Sequence, residues 1–340
     1  MKIFLIGPDF FNYTSSLAKA VQQLGHQTAT QTYRNFWDDC SYMVKKMERW
    51  GITEKRHRYY QKWNEQVLAI AAQYQPDAII VLNGDYLVSS TMDKLKSSHC
   101  QLILWLVDSI LRFPHIEKLI QYYDQVFSFD PRDEVYLFDK YKIHCSYRPG
   151  GYDPDIYFPQ QGINQDIDVC FVGTATGNRI HVLRQVAEYM QSENKKLVLS
   201  GVFWDKRYFW KKRRFAQKYD PLQLFIQNRN IMPEEVAQLY RRSKICLNIH
   251  ISEHVGVNTR TFEIMGTSSM ELVDNKPKLA ELVDIGTDVA VYQDIDDLIN
   301  KIDYYLKDSN ARKIIAESGQ KKAAANFTVQ HLAKAIMNKL

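Results

Sequence analysis

Short, continuous apolar runs alternate with helix-length segments along the chain, and this alternation constrains the fold more than any other feature. Runs that are apolar on both faces are typical of parallel strands covered by helices on either side. In the first half of the chain they lie at residues 2–7, 78–84, 100–108 and 125–130. A second set lies at residues 168–174, 196–201, 245–249, 270–274 and 289–292. The sequence therefore predicts an α/β fold built on two parallel sheets.

A segment rich in proline and glycine, residues 149–159, separates the two sets of runs. Such a segment is typical of a linker. We therefore predict two Rossmann-like domains, at residues 1–150 and 151–320, with residues 321–340 as a C-terminal helix that is a candidate to pack back on the first domain. Sites in such sheets form at the carboxyl ends of the strands, so we expect the functional side chains there.

The composition is that of a globular chain with a sizeable core, 45% hydrophobic and 24% charged over 340 residues. No apolar stretch reaches the roughly 18 residues that span a membrane. The first apolar run is broken at Gly7, Pro8 and Asp9, too early for a signal peptide. The five cysteines are scattered without C-x-x-C spacing, which favours reduced thiols over disulfides or a zinc site. We therefore expect a cytoplasmic protein.

The net charge of +5 is modest, but basic residues are concentrated in two places. Lysines and arginines alternate with aromatic residues in Lys45–Trp63 and again in Trp204–Lys218. Basic side chains beside aromatic ones suit an anionic membrane surface, and a solvated helix face is the other interpretation. No nucleic-acid-binding module accompanies them, so we expect no nucleic-acid partner. Peripheral contact with the inner face of the cell membrane is a candidate role.

The segment from Lys244 to Asp274 carries the most chemical information. An apolar run ends in Asn248 and His250, a loop with Asn258 follows, and Arg260 and Glu263 then open a helix-like segment. A helix N-terminus attracts anions through its backbone N–H groups and its dipole. Together with a fixed cation and a carboxylate, it provides the groups needed to hold a diphosphate and a ribose diol.

Further motifs occur in a fixed order around this segment. They are D-V-C-F-V-G-T at 168–174 with Arg179 downstream, Y-D-P-D-I-Y-F-P at 152–159, the tail 292–306, and Trp105 with Asp108. The set resembles the CgeB-like group of GT-B glycosyltransferases, of the glycosyl transferases group 1 type. The resemblance covers nearly the whole C-terminal half. It implies the GT-B fold, in which two Rossmann-like domains face a central cleft, the first binding the acceptor and the second the nucleotide sugar.

The resemblance also implies roles for individual residues. Arg179 and Arg260 would stabilise the charge of the departing diphosphate, and Glu263 would hold the ribose hydroxyls. Residues 228–232 stand where relatives place the nucleobase. The remaining candidates for donor binding are Gly173, Thr174, Asn248, His250, Asn258 and Thr261. Each has a structural alternative, such as a tight turn for the glycine, a surface ion pair for an arginine or a buried structural role for the histidine.

GT-B enzymes use side-chain cations and helix dipoles instead of a bound metal, and the chain has no Asp-x-Asp flanked by apolar strand residues. We therefore expect no metal site and no cofactor, with a UDP- or dTDP-sugar as the donor. Many retaining relatives carry two glutamates eight positions apart. Eight positions before Glu263 stands Val255, with Glu253 close by. Glu263 and Glu271 do have this separation, but that pairing would put the phosphate-binding helix after Glu271, where a strand-like run begins, so we reject it. The stereochemistry therefore stays open, with retention favoured.

An inverting enzyme would need a general base near the acceptor hydroxyl. Asp9, Asp85 and Asp108 follow predicted strands of the first domain, and His115 comes shortly after them. Asp108 is the preferred candidate because, with Trp105, it matches the W-x-x-D motif. Capping the following helix is its structural alternative.

The predicted function is transfer of a sugar from a nucleotide-diphosphate donor to a glycan or lipid-linked acceptor, in the synthesis of a bacterial surface polysaccharide. One alternative is a catalytically inactive GT-B homologue that acts as a binding or assembly subunit. Another is a sugar-nucleotide epimerase of GT-B form, for which we find no suitable acids and histidine. A dinucleotide oxidoreductase is disfavoured because Gly7-Pro8-Asp9, and not G-x-G-x-x-G, follows Ile6.

Overall fold

The computed structural model describes residues 1–8, 11–33, 42–49, 54–174, 177–204, 209–253 and 255–340. The chain divides into two compact units. Unit 1 comprises residues 1–148 together with residues 329–340, and unit 2 comprises residues 149–328. Each unit is built on one six-stranded sheet in which every described pairing is parallel.

Unit 1 has the strand order β2-β1-β3-β4-β5-β6. Its strands are β1 (Lys2–Pro8), β2 (Gln27–Tyr33), β3 (Ala78–Leu82), β4 (Gln101–Leu106), β5 (Gln125–Ser128) and β6 (Cys145–Tyr147). The helices between them are α1 (Tyr13–Gln23), α2 (Tyr42–Arg49), α3 (Lys55–Tyr74), α4 (Ser89–Ser97), α5 (Pro114–Glu117) and α6 (Arg132–Tyr141).

The central strands of unit 1 are buried on both faces, which is why they are apolar at every position. In β1, Ile3 and Leu5 face one apolar cluster, whereas Phe4 and Ile6 face another. Helix α1 covers the first face, and α3 and α4 cover the second. Successive side chains of a strand point to opposite faces, so a strand between two helical layers needs an unbroken apolar run.

Unit 2 has the strand order β12-β11-β10-β7-β8-β9. Its strands are β7 (Ile167–Val172), β8 (Leu197–Gly201), β9 (Ile226–Asn228), β10 (Ser243–Asn248), β11 (Glu271–Asp274) and β12 (Ala290–Tyr292). Its helices are α7 (Asn178–Ser192), α8 (Phe209–Tyr219), α9 (Pro233–Arg241), α10 (Thr259–Gly266), α11 (Leu279–Leu282), α12 (Ile295–Lys307) and α13 (Ser309–Asn326).

Helices cover both faces of this second sheet as well. Phe171 and Leu247 of the strands pack in one cluster with Leu183 of α7 and Ile302 of α12. On the other face, buried side chains of β7, β10 and β11 pack in one cluster with those of α9 and α10. The N-terminus of α10 is thereby brought over the carboxyl ends of the central strands.

The last helix, α14 (Val329–Met337), belongs to unit 1. Its buried face contributes Leu332 and Ile336 to the same cluster as Leu17 and Val21 of α1. Because α14 supplies part of the apolar cover for the first sheet, the chain returns to unit 1 after completing unit 2.

The predicted fold class is confirmed, and each apolar run became a strand. Three strands were missed: β2, β6 and β9. Strand β2 (QTATQTY) is the edge of its sheet and only its last residue is buried, so it lacks the apolar signal. Strands β6 and β9 are edges of three residues each, too short for a pattern to show.

The two basic and aromatic segments lie partly outside the described residues, which omit 34–41, 50–53 and 205–208. Apart from Glu54 and Trp204, their described parts are helical and belong to α2, α3 and α8. In α8 the charged residues 211–214 are exposed, and Trp210 is 54% exposed. Within the described part of the chain, no helix is both long and apolar enough to cross a membrane.

Candidate functional site

Three neighbouring strands of unit 2 end in polar or flexible residues at the same edge of the sheet. Strand β10 pairs with β7 on one side and with β11 on the other. Gly173 follows the last residue of β7. Asn248 is the last residue of β10, with His250 two positions later, and Asp274 is the last residue of β11. The structure therefore brings these side chains together at the carboxyl edge, where parallel sheets form sites.

A buried hydrogen-bond network fixes the N-terminus of α10 over this edge. Asn258 is the N-cap residue, and its side-chain oxygen accepts the backbone N–H of Thr261 at 3.3 Å. Asn258 and Asn248 exchange amide hydrogen bonds of 3.0 and 3.1 Å. Below them, the Glu271 carboxylate accepts from the Asn248 amide at 2.8 Å and from the Thr261 hydroxyl at 3.0 Å. Asn248 and Thr261 are fully buried, so these bonds position the helix, and direct donor contact by either residue stays a prediction.

His250 supports the loop that leads to α10. Its Nδ1 lies 2.8 Å from the Asp274 carboxylate, which also accepts the His250 backbone N–H at 2.7 Å. Its Nε2 accepts the backbone N–H of Asn258 at 3.3 Å. An Nε2 that accepts leaves the proton on Nδ1, so we assign a neutral ring that donates to Asp274. Burial lowers the pKa of His250 below its ordinary value, which agrees with a neutral ring at physiological pH.

Arg179 lies in the first turn of α7, and its guanidinium is held by backbone carbonyls. Its Nε donates to the Ile249 carbonyl at 2.8 Å and its Nη1 to the Thr174 carbonyl at 3.5 Å. The guanidinium also lies over the Phe171 ring, 5.8 Å from the centroid. Burial lowers the pKa of Arg179 to about 10, and the positive charge of Arg260 adds to this effect. Arg179 is therefore charged at neutral pH, and Arg260 is close enough for the two positive charges to interact.

Arg260 and Glu263 lie on α10 itself. Burial raises the pKa of the Glu263 carboxyl, and the nearby Arg260 partly offsets this effect. Glu263 is buried, with 8% of the residue's surface exposed. The arrangement combines two cations, the N-terminus of a capped eight-residue helix and a largely desolvated carboxyl group.

The backbone comes unusually close to itself beside Gly173. The Gly173 N–H donates to the Ser200 carbonyl at 2.9 Å. A β-carbon on Gly201, the residue after Ser200, would lie 1.9 Å from the Gly173 carbonyl oxygen. Both glycines have positive φ, 159° and 145°. Only glycine fits position 201, and the turn at 173–174 takes its shape from this contact.

Asn228, the first residue of the segment expected at the nucleobase, holds the turn after β8. Its side-chain oxygen accepts the N–H groups of Phe203 at 2.7 Å and Trp204 at 3.2 Å, and its amide donates to the Trp204 carbonyl at 2.9 Å. These contacts make Asn228 a support of the turn. Contact with a nucleobase stays a prediction for residues 228–232.

Asp108 lies in unit 1, apart in the chain from the other candidates. Its Oδ1 accepts the Ser109 N–H at 2.9 Å, and its Oδ2 pairs with the Arg112 guanidinium. Ser109, and not Asp108, caps the short 3-10 turn that follows. Asp85 pairs instead with Tyr33 and His115. Asp9 lies outside the described residues.

Sequence reasoning missed several residues of the site. Asp274 and Glu271 hold the histidine and the asparagine of the preceding strand, and Gly201 shapes the turn at Gly173. The only available signal was that each stands in or beside an apolar run at a strand end. Among the described residues, no group of three or more His, Cys, Asp or Glu side chains is arranged to hold a metal ion.

Comparison with known proteins agrees with this architecture. Residues 179–338 match the family model described as glycosyl transferase-like, and the fold of the whole chain is GT-B. The predicted GT-B fold is confirmed, and the match to residues 179–338 supports the predicted glycosyltransferase class, whereas the narrower CgeB-like grouping stays a prediction. A search of curated protein sequences found no match.

Solved structures similar to this chain include three glycosyltransferase-fold proteins. Sucrose-phosphate synthase from Thermosynechococcus elongatus has a TM-score of 0.70 at 16% identity, over 99% of this chain and 98% of that one. Anabaena HepE in complex with UDP and glucose has a TM-score of 0.67 at 13% identity, over 100% and 99%. The lipopolysaccharide outer core galactosyltransferase WaaB has a TM-score of 0.56 at 12% identity, over 100% of both chains.

Proposed function

We propose that unit 2 binds the diphosphate of a UDP- or dTDP-sugar at the N-terminus of α10 and that the chain transfers the sugar to a glycan or lipid-linked acceptor. The observation that carries this proposal is that the positive charge of Arg260, in the first turn of the capped helix α10, is near enough to lower the pKa of Arg179. An anion beside two neighbouring cations relieves their repulsion, and a nucleoside diphosphate supplies more than one negative charge.

Glu263 is the proposed partner of the ribose hydroxyls. A largely buried carboxyl group at the edge of a helix can accept two hydroxyl hydrogen bonds from a diol. The proposal includes metal independence, because the two arginines and the helix dipole would neutralise the leaving diphosphate. Retention of configuration is the proposed outcome, and the anomer formed, read by proton NMR of the product, tests it.

The solved relatives support the choice of donor and of pathway. Anabaena HepE was solved with UDP and with UDP-glucose, and WaaB is a galactosyltransferase of lipopolysaccharide. We extend these properties to this chain only as a proposal: a uridine donor and a role in bacterial surface polysaccharide synthesis in the cytoplasm. The basic face of α8, with Trp210 exposed, is the proposed contact with anionic membrane. Co-sedimentation with anionic but not neutral vesicles tests that contact.

Calorimetric titration with UDP, dTDP and GDP, in buffer with a chelator, tests the donor site. We expect UDP or dTDP to bind the wild-type protein without metal. Arg260→Gln and Glu263→Gln should weaken binding about 10- to 100-fold, because each removes a charge-assisted hydrogen bond. Arg184→Gln, which alters an exposed arginine paired with Glu188 on α7, is the matched control and should leave binding unchanged.

The outcomes separate the competing functions. Absence of binding by every nucleotide, or equal binding in Arg260→Gln and wild type, would contradict the donor site. Nucleotide binding without hydrolysis or transfer of any tested sugar nucleotide would favour the inactive-homologue function, which the valine at position 255 keeps open.

A further inference from the structure

A group of aromatic side chains surrounds Asp85 at the carboxyl edge of the sheet in unit 1. Strand β2 ends at Tyr33, and Asp85 and Tyr86 follow β3 after a two-residue turn. The ring of Tyr86 stacks on that of Tyr60 at a centroid distance of 4.6 Å and meets that of Tyr33 edge-on at 4.7 Å. The group, termed here the Asp85 cluster, consists of Tyr33, Tyr59, Tyr60, Trp63, Asp85, Tyr86 and His115.

The backbone around the cluster is held in a specific and uncommon shape. Asn83 and Gly84, the turn between β3 and Asp85, both have left-handed φ values of 60° and 84°. The Asn83 side chain is buried and accepts the Val107 N–H at 3.0 Å. Asparagine and glycine are the residues that adopt this left-handed backbone most readily, so the local sequence favours the turn. Here the turn sets the direction of Asp85.

Hydrogen bonds of the Asn64 side chain connect the aromatic residues to the loop after β3. The amide of Asn64 on α3 donates to the carbonyls of Tyr60 and Tyr86, each at 2.8 Å, and its oxygen accepts the Val88 N–H at 3.3 Å. Helix α3 and the loop after β3 are thereby locked together. The cluster is preorganised, which reduces the entropy lost when a ligand binds.

The carboxylate of Asp85 has two different environments. Its Oδ2 accepts the phenolic proton of buried Tyr33 at 2.5 Å. Its Oδ1 lies 3.6 Å from Nε2 of His115, longer than a hydrogen bond, and a hydroxyl group can bridge such a gap. The Asp85 side chain is 19% exposed and that of His115 is 49% exposed, so both can be reached from solvent.

The buried Tyr33 hydroxyl needs only one oxygen of this carboxylate, and that structural role does not account for Oδ1, which faces the half-exposed His115 ring. A saccharide ring, in contrast, needs both parts of the cluster. Its C–H faces pack on aromatic rings, and its hydroxyls need a few well-placed polar groups. The negative charge of Asp85 also disfavours a phosphate or a nucleotide at this place.

We propose that the Asp85 cluster is a saccharide subsite in which Asp85 Oδ1 and His115 Nε2 hold one hydroxyl while Tyr86 packs on the ring. The identification of that saccharide as the acceptor of the transfer rests on the proposed function. The subsite itself does not, because it is built entirely from unit 1.

Saturation-transfer NMR on the full chain, with methyl glycosides of glucose, galactose, mannose and N-acetylglucosamine, tests the subsite. We expect transfer to the ring protons of at least one glycoside, with and without UDP. Asp85→Asn should weaken that binding about 10-fold or more, the effect of losing a charged hydrogen-bond acceptor. Tyr86→Ala, which leaves the carboxylate in place, is the second variant and should abolish the signal. Asp93→Asn, which alters another aspartate that accepts from a tyrosine of unit 1, Tyr122, is the matched control and should change nothing.

Two outcomes would overturn the subsite: no transfer to any of the four glycosides, or equal transfer in wild type, Asp85→Asn and Tyr86→Ala. UDP titration of the same samples tests the proposed donor site separately. If UDP binds but no glycoside does, the subsite fails and the donor site stands. If a glycoside binds in the expected variant-dependent way but UDP does not, the subsite stands and the donor proposal fails.

Discussion

Glu271 gives unit 2 a dependence of stability on pH that a single substitution should remove. Its side chain is fully buried, and burial raises the pKa to about 7 from an ordinary value of 4.5. One carboxylate oxygen accepts from Asn248 and Thr261, and the other has no hydrogen-bond partner among the described residues. A charged glutamate at this place is therefore only partly compensated.

The sign follows from proton binding in the two states. Between pH 4.5 and about pH 7 the folded protein keeps the Glu271 proton, whereas the unfolded chain loses it. The free energy of unfolding therefore falls as the pH rises through this window. A pKa difference of about two and a half, at about 1.4 kcal/mol for each pH unit, corresponds to about 3 kcal/mol. The contribution is fully present below pH 4.5 and is lost above about pH 7.

Glu271→Gln keeps an oxygen for Asn248 and Thr261 and removes the ionisation. Relative to wild type, the variant should gain about 3 kcal/mol between mildly acidic and mildly alkaline pH, or about 6–12 °C in the melting temperature of unit 2. Circular dichroism melting across that range measures this. Glu235→Gln is the control, since Arg229 lowers the pKa of this exposed glutamate and moves its titration to more acidic pH. A constant difference between the melting temperatures of wild type and Glu271→Gln at every pH would refute the reasoning.

Two further predictions concern the backbone of the candidate site. Gly201→Ala should destabilise unit 2 by at least about 3 kcal/mol, because the new β-carbon collides with the Gly173 carbonyl oxygen. In the control Gly162→Ala, the residue also has a positive φ, but no atom lies within 4 Å of the added β-carbon, so the change should cost only about 1 kcal/mol. Equal melting temperatures for the two variants would contradict the clash. Asn258→Ala should cost about 1–2 kcal/mol and weaken UDP binding, since it removes the cap on the Thr261 N–H. Unchanged stability in thermal melts together with unchanged UDP affinity would show that the cap does not organise the site.

The sequence predicted the α/β class, the central strands and the fold family, and it did so for a local reason. A strand buried on both faces must be apolar at every position, so the KIFLIG run and the ILWL part of β4 are visible without any partner. Edge strand β2 broke this rule because one side of it stays accessible, and it was missed. Alternation of strand and helix then restricts the connections to parallel ones.

The candidate site was accessible to sequence reasoning only in part. Arg260 and Glu263 stand next to a recognisable helix start, and Arg179 follows a recognisable turn, so the residue types could be named. The environments of these side chains could not be predicted from the sequence. Arg179 donates its hydrogen bond to a carbonyl 70 residues away, and the Asn248 amide donates to Glu271, 23 positions later.

These contacts depend on distances through space, which no periodicity along the chain records. Sequence alone determined the central strands of both sheets, because a strand covered on both faces must be apolar at every position. The tertiary structure alone decided that His250 supports the loop before α10, that Glu271 lies buried beneath that helix, and that Asp85, and not Asp108, faces His115. The physical reason is that the protonation and partners of a polar side chain follow from the low dielectric and the neighbours that folding assembles around it.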